Sequence, residues 1–276
     1  MKVIFYRFVG SILNLLYFIS PDRAAKTAIR LFSTPRSKRL STERADFLDT
    51  AFKEELRYSE GHIMTYRWLG RKSYVLLIHG WESDASRWTN LAKLLLHEGY
   101  GVVALDAPAH GKSGFKTFNA FLYSEFIQVV CKKYNPNTIV AHSVGGFSAI
   151  LADQRFNLSH IEKIVMLGSP YQFSTIYSRY IQMMGYTQQL IKKMDEHILY
   201  RFGNEPYQIS IDNRLKENNF QYLIVHDSED DIIPHSEAIN NSFEMKNAKF
   251  VTTTGLGHSL ENNSVYDSII KFIANE

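Results

Sequence analysis

Residues 139–146 read Ile-Val-Ala-His-Ser-Val-Gly-Gly and place one serine, Ser143, between two kinds of sequence. The apolar run 138–142 before it is typical of a buried strand, and 145–154 after it has a helical pattern. Small residues stand two positions before the serine and two after it, which suits a turn that neighbouring backbone approaches closely. We expect a sharp strand-to-helix turn that presents the Ser143 hydroxyl above a sheet.

Outward from this turn, strand-like and helix-like segments alternate along the chain. Strands are predicted at 74–79, 101–106, 138–142, 163–168, 222–226 and 249–253. Helices are predicted at 88–98, 118–133, 145–154, 236–243 and 264–274. Because the strands are apolar on both faces, this alternation predicts an α/β fold with a mostly parallel central sheet flanked by helices. Functional side chains then belong at the carboxyl ends of the strands.

Two segments depart from the alternation. Residues 169–216 contain helical stretches and no clear strand, which predicts a helical lid inserted into the domain. Residues 1–60 are predicted to form an N-terminal helical leader packed on the core, with one of its helices over 45–56. Residues 61–276 then form the main domain.

The start of the leader, 3–19, is mostly apolar and is interrupted by Arg7 and Asn14. It is shorter than the roughly 20 apolar residues that a spanning helix needs. We expect an amphipathic helix packed on the domain. Peripheral membrane contact through residues 1–20 is the first alternative, and a cleaved signal or a spanning segment is the second.

Composition narrows the classes of function. The 276 residues include 31 Lys or Arg against 28 Asp or Glu, so the formal net charge is only +3 and nucleic-acid binding is disfavoured. The single cysteine, Cys131, can form neither an internal disulfide nor a cysteine-based zinc cluster, and its apolar helical context predicts an inert core thiol. We therefore expect a cytoplasmic protein without a metal site. Its oligomeric state stays open.

A serine nucleophile needs a histidine base and a carboxylate that orients it. Among the ten histidines, His258 follows the last predicted strand in the flexible loop 255–258, and it is the predicted base. Four carboxylates follow the strand 222–226, and spacing alone leaves Asp230 and Asp231 open. Along the chain these candidates follow the order serine, acid, histidine.

Other residues near the strand ends are candidates for supporting roles. The backbone N–H groups of Trp81 and Val144 are predicted to stabilise an oxyanion at Ser143. The candidates for substrate contact are His79, Gly80, His142, Tyr171 and Tyr177.

Five motifs make the chain similar to the α/β-hydrolase superfamily. They are HGW at 79–81, DAPAHGKS at 106–113, AHSVGG at 141–146, HDSEDDIIP at 226–234 and GLGH at 255–258. The chain most resembles a bacterial subgroup of serine hydrolases whose substrates are unassigned. The resemblance implies Asp230 as the acid, because it stands four positions before Pro234. Ala141 replaces the usual first glycine of the G-x-S-x-G pattern.

The resemblance implies cofactor-free hydrolysis of a small-molecule carboxylic ester or thioester through an acyl-enzyme. Aromatic and methionine residues in the predicted lid suggest a substrate with an apolar acyl or alcohol part. An acyl thioesterase, a lipid-directed esterase, and a C–C bond hydrolase or peptidase are alternatives that use the same three residues. A ligand-binding protein that keeps the fold without catalysis is a further alternative.

Overall fold

The computed structural model describes residues 2–36, 42–211, 215, 219–242, 245 and 247–275. Its helices are α1 (Lys2–Ile19), α2 (Pro21–Ser33), α3 (Thr42–Asp49), α4 (Thr89–His97), α5 (Ala120–Tyr134), α6 (Val144–Phe156), α7 (Phe173–Met184), α8 (Gln188–Phe202), α9 (His235–Ser242) and α10 (Asn263–Ala274). Its strands are β1 (Phe52–Tyr58), β2 (Gly61–Trp68), β3 (Tyr74–Ile78), β4 (Gly101–Leu105), β5 (Thr138–His142), β6 (Lys163–Leu167), β7 (Gln221–Asp227) and β8 (Ala248–Thr253). Parts of three predicted segments lie outside the described residues: 1 and 37–41 of the leader, 212–214 and 216 of the lid, and 243 of a helix.

The eight described strands form one sheet in the order β1-β2-β4-β3-β5-β6-β7-β8. β1 pairs with β2 and β2 pairs with β4 in the antiparallel sense, and the remaining neighbours are parallel. The strands β3 to β6 are almost entirely buried, as expected when helices cover both faces. The predicted fold class, a mostly parallel sheet flanked by helices, is confirmed.

The core explains the residue types of the central strands. Val75 and Leu77 point to one face of β3 and pack in a cluster with Trp88 and Leu91, which belong to the segment that follows the strand. Burying apolar surface at about 25 cal/mol per Å² makes such contacts the main source of stability. Cys131 is buried in α5, and burial raises the pKa of its thiol to about 12, in agreement with the predicted inert thiol.

The strand β1 corrects one sequence prediction. A helix was expected over 45–56, but the helix α3 ends at Asp49 and β1 starts at Phe52. This edge strand has four charged residues among its seven, three of them consecutive, and most of its side chains are exposed, so it lacks the apolar pattern that marks a strand. Pairing with β2, a tertiary contact, outweighs the local helical preference.

The chain divides into two compact units. One consists of Met1–Thr34 with Tyr171–Ser210, and the other of Pro35–Pro170 with Ile211–Glu276. The second unit contains the whole sheet. The first unit is helical and brings together the start of the predicted leader and most of the predicted lid, whose role as a lid stays a prediction.

Close packing and polar contacts hold the helical unit together. A Cβ added at Gly10 would lie 1.8 Å from the carbonyl oxygen of Met184, so α1 approaches the end of α7 at a point where only glycine fits. The side-chain amide of Asn14 donates to Gly185 O at 2.9 Å and accepts from Thr187 N at 2.9 Å. These contacts fasten α1 to the turn between α7 and α8. No helix in the described part of the chain has both the length and the apolar character of a membrane span.

Candidate active site

Ser143 stands at the predicted turn, between the end of β5 and the start of α6. Its φ of 54° and ψ of −131° lie in a region that residues other than glycine rarely adopt. The Ser143 N–H donates to Leu167 O of the neighbouring strand at 2.8 Å, which helps to hold this conformation. A costly backbone conformation persists only where the surrounding structure enforces it, and such residues cluster at functional sites.

The structure brings Ser143, His258 and Asp230 together. The Nε2 atom of His258 lies 2.9 Å from Ser143 Oγ, and its Nδ1 atom lies 2.8 Å from Asp230 Oδ2. An ionised carboxylate can only accept, so Nδ1 carries the proton and Nε2 is free to accept from the serine hydroxyl. Asp231, which spacing could not separate from Asp230, is exposed.

Asp230 is held as a carboxylate. Burial by itself would raise its pKa, but hydrogen bonds from His226, His258 and Ile233 outweigh burial and hold the pKa of Asp230 well below its ordinary value. Its Oδ1 atom accepts from the N–H groups of Ile232 at 2.8 Å and Ile233 at 2.9 Å. The Asp230 side chain has no exposed surface, whereas that of His258 is 18% exposed. A substrate can therefore reach the histidine but not the carboxylate.

A buried pair, Arg87 and His142, fixes the backbone of the His258 loop. Arg87 Nη1 donates to His142 Nδ1 at 2.9 Å, and His142 Nε2 donates to His258 O at 2.8 Å. Arg87 Nη2 donates to Ser259 O at 2.9 Å. Burial, together with the nearby Arg87 charge, lowers the pKa of His142 well below its ordinary value, so His142 is neutral and can accept from the guanidinium.

Asp227 anchors the start of the same loop. Its Oδ2 atom accepts from Thr253 Oγ1 at 2.7 Å and from the N–H of Leu256 at 3.0 Å. The sequence analysis did not predict that Asp227 and Arg87 hold the loop that carries His258. Asp227 belongs to the carboxylate stretch that the motif analysis examined, but no pattern in the sequence distinguishes Arg87.

The two predicted oxyanion donors lie on the segments expected for them. Val144 is the first residue of α6, where a backbone N–H has no acceptor within its own helix. Trp81 follows Gly80, at which an added Cβ would lie 2.8 Å from Ser143 Cβ. The turn after β3 therefore passes directly beside the serine.

Comparison with known proteins decides the family. The model of the alpha/beta hydrolase family matches residues 75–264, which include Ser143, Asp230 and His258. The chain belongs to the alpha/beta hydrolase family. A search of proteins with curated functions finds no match to this hydrolase.

Several solved structures share the fold of this alpha/beta hydrolase. Est1E from Butyrivibrio proteoclasticus, solved with ferulic acid bound, has 16% identity and a TM-score of 0.65, over 80% of this chain and 98% of that one. A putative lipase from Acinetobacter baumannii has 18% identity and a TM-score of 0.64, over 87% and 98%. The thioesterase domain from the curacin biosynthetic pathway has 18% identity and a TM-score of 0.59, over 81% and 99%. These neighbours show the shared fold, and membership of the family supports a hydrolase activity.

Three predicted substrate contacts of the hydrolase are fully buried: His79, Tyr171 and Tyr177. His79 Nδ1 donates to Gly80 O at 2.7 Å and its Nε2 accepts from the N–H of Ala107 at 2.9 Å. The Tyr177 hydroxyl donates to Asp195 Oδ1 in α8 at 2.6 Å. Burial argues against direct substrate contact and gives these side chains a role in holding the fold.

A cavity of about 540 Å³ opens beside the loops that follow β3 and β4. Neither Ser143 nor His258 nor Asp230 lines this cavity. Its polar lining residues include Arg36, Asp49, Tyr66, Glu82, Asp84, Asp106, His110 and Lys112. Burial raises the pKa of Asp106 to about 6. This carboxyl accepts from Ala85 N, Lys112 N and the Tyr66 hydroxyl, which gives Asp106 a structural role in its loop.

Proposed function

We propose that this alpha/beta hydrolase is a serine hydrolase that cleaves a carboxylic ester or thioester through an acyl-enzyme. The observation that supports the proposal is the hydrogen-bonded chain from Ser143 through His258 to Asp230, with separations of 2.9 and 2.8 Å. Both distances lie within the range that proton transfer between a nucleophile and its base requires.

The chemistry follows from the protonation states. Ser143 Oγ attacks the substrate carbonyl carbon while its proton passes to His258 Nε2, and the carbonyl π electrons move to oxygen. His258 then gives the proton to the leaving alcohol or thiol as the tetrahedral intermediate collapses. Asp230 keeps the Nδ1 proton in place and stabilises the imidazolium. A water molecule releases the acid by the same steps.

In this proposal the backbone N–H groups of Trp81 and Val144 stabilise the oxyanion. Each donor in an oxyanion hole typically contributes about 3 kcal/mol to transition-state stabilisation. Backbone donors on a turn and at a helix start need little reorganisation during the reaction.

Hydrolysis by purified variants tests the proposal. Wild type and Ser143→Ala are compared on p-nitrophenyl esters of graded chain length and on acyl thioesters, with Ser268→Ala, a serine on α10, as the control. We expect Ser143→Ala to lose at least a thousandfold in kcat and Ser268→Ala to match wild type. Equal turnover by wild type and Ser143→Ala would reject the proposal. Lack of turnover by wild type on every ester and thioester would also reject the proposal, and would leave a C–C bond hydrolase, a peptidase and a non-catalytic binding protein as the alternatives.

Two neighbouring substitutions, Asp230→Asn and Asp231→Asn, test which carboxylate is the catalytic acid. Asp230→Asn leaves His258 without its carboxylate and is expected to lower kcat by about ten-thousandfold. The neighbouring exposed Asp231→Asn is expected to leave kcat within about twofold of wild type. A larger loss in Asp231→Asn than in Asp230→Asn would overturn the assignment.

A further inference from the structure

The outer face of α1 is apolar and exposed. Its exposed side chains are Ile4, Phe5, Phe8, Ile12, Leu15, Phe18 and Ile19, with exposed fractions from 48% at Ile12 to 84% at Ile19. At 3.6 residues per turn these positions fall within an arc of about 140° along the whole helix. Single exposed apolar residues are ordinary, but a continuous face of this kind marks an interaction surface.

The exposure of this apolar face does not come from a poorly packed helix. The opposite side of α1 carries Leu13, which is 4% exposed, and Gly10, which packs against Met184. Asn14 binds the backbone of the turn between α7 and α8. Since α1 is fixed by its inner side, its apolar side is held outward.

The charge around α1 indicates the kind of partner. Residues 1–34 contain five basic residues and one acidic residue, so this segment is more positive than the full chain, whose net charge is +3. The helix α2, which packs on α1, exposes Arg23, Lys26 and Arg30 at spacings that put them on one side. The single acidic residue, Asp22, contacts Lys193 at 3.3 Å and His197 at 3.0 Å, so it does not neutralise that basic side.

We propose that the apolar face of α1, with the basic side of α2, docks this protein on the surface of a bilayer that contains anionic lipid. An interfacial helix buries an apolar face at the level of the acyl chains and places Lys and Arg near the headgroups. The phenylalanines on the face and the exposed cations on the neighbouring helix α2 match these two requirements. The docking proposal is independent of the chemistry at Ser143.

Vesicle flotation of the full-length protein tests the docking. Vesicles of phosphatidylcholine mixed with phosphatidylglycerol are compared with vesicles of pure phosphatidylcholine. We expect stronger flotation with the anionic vesicles, and weaker flotation as salt is raised. Equal flotation with both vesicle types, or no flotation, would overturn the proposal.

Two sets of substitutions separate the apolar and the electrostatic contributions. Phe8→Gln with Phe18→Gln is expected to weaken binding to anionic vesicles by at least about tenfold. The control is Phe52→Gln with Leu69→Gln, two residues of the sheet unit that are 60% and 59% exposed, and it is expected to bind like wild type. If the α1 variant also binds like wild type, the proposal is wrong.

The second set of substitutions removes the positive charges on the basic side of α2. Arg23→Gln, Lys26→Gln and Arg30→Gln together are expected to weaken binding to anionic vesicles by at least about tenfold, without changing binding to neutral ones. These side chains are exposed, so thermal unfolding is expected to stay unchanged. Unaltered binding to anionic vesicles would contradict the charge argument.

A fluorescent label reports the face directly. Because Cys131 is buried, Phe18→Cys offers one accessible thiol for an environment-sensitive nitrobenzoxadiazole label. Its emission is expected to rise and shift to the blue on addition of anionic vesicles, whereas a label at Leu69→Cys is expected not to change. A silent label at position 18, together with a dimer in sedimentation, would show that a second copy covers the face, which would overturn membrane docking.

Discussion

The guanidinium of Arg87 sets the position of His258 without touching Ser143. It donates directly to Ser259 O, and it is linked to His258 O through the ring of His142. Two successive carbonyls of the loop therefore depend on one buried side chain. Burial lowers the pKa of Arg87 to about 10, which still leaves it charged at neutral pH. Arg87 is therefore a positioning residue in the proposed mechanism.

Substitution of Arg87 is expected to change kcat more than KM. Arg87→Gln removes the fork that spans His142 and Ser259, and a displacement of His258 by about 1 Å can cost roughly a hundredfold in rate. Arg87→Lys keeps the charge but lacks the planar fork, so it is expected to recover only part of the rate. Steady-state kinetics on the best ester, with urea unfolding of each variant, checks this. A rise in KM with kcat unchanged would contradict a positioning role.

The depressed pKa of Asp230 predicts how stability responds to acid. Because the folded-state pKa lies below the unfolded value, the ionised carboxyl stabilises the fold above its ordinary pKa of 3.8, and this contribution is lost as the pH falls toward the folded-state pKa. Asp230→Asn lacks the contribution. Its free energy of unfolding should therefore fall less than that of wild type between pH 7 and about pH 3. Equal losses in chemical unfolding at the two pH values would refute the assignment.

The motifs predicted the elements that carry the site, whereas they could not supply the contacts between distant loops. The turn at Ser143 and the loop at His258 follow from local patterns of small residues and glycines. The choice of Asp230 over Asp231 came from resemblance, and the structure gives its physical basis in the hydrogen bond to His258. Arg87 has no local signal, since its partners lie far along the chain.

At the scale of elements, β1 shows where pattern reading fails. Its charged residues suit an exposed edge, and they also suit a helix, so the sequence does not separate the two structures. The central strands were predicted because burial on both faces demands continuous apolar runs. Prediction therefore succeeded for the parallel strands β3 to β8 and missed the two antiparallel strands, β1 and β2.

Asp106 binds three segments of the chain through hydrogen bonds from Ala85, Lys112 and Tyr66. Its removal is expected to lower the free energy of unfolding by more than the removal of a helix-capping side chain does. Asp106→Ala leaves two buried donors, Ala85 N and the Tyr66 hydroxyl, without this acceptor, and also the partly buried Lys112 N. We expect a loss of about 2–4 kcal/mol in the free energy of unfolding. Asp84→Ala, which removes a capping acceptor in the neighbouring loop, is expected to cost about 1 kcal/mol. Urea unfolding that ranks the two variants in the opposite order would disprove this role.

At the scale of the whole molecule, the helical unit combines segments that are distant in sequence. Residues 1–34 and 171–210 form one compact unit, an arrangement that sequence reasoning described as a separate leader and lid. Local periodicity predicted the helices α1, α7 and α8 but carries no information about which of them pack together. Contacts such as Asn14 with Gly185 supply that information.

A small substitution in α1 tests this unit. Gly10→Ala forces a methyl group toward Met184 O and is expected to destabilise the helical unit by about 1–3 kcal/mol. Ser11→Ala, at the next and exposed position of the same helix, is the control. In hydrogen exchange, Gly10→Ala should lower protection in both 2–33 and 173–202 and leave β3 to β6 unchanged. Loss of protection in α1 alone would contradict a shared unit.

The central claim is that Ser143 is a nucleophile activated by His258 and Asp230. The most direct measurement is labelling of the folded protein with a fluorophosphonate probe, followed by identification of the modified peptide. The account predicts one modified serine, Ser143, with labelling abolished in Ser143→Ala and strongly slowed in His258→Ala. Modification of a different serine, or undiminished labelling of Ser143→Ala, would contradict the account.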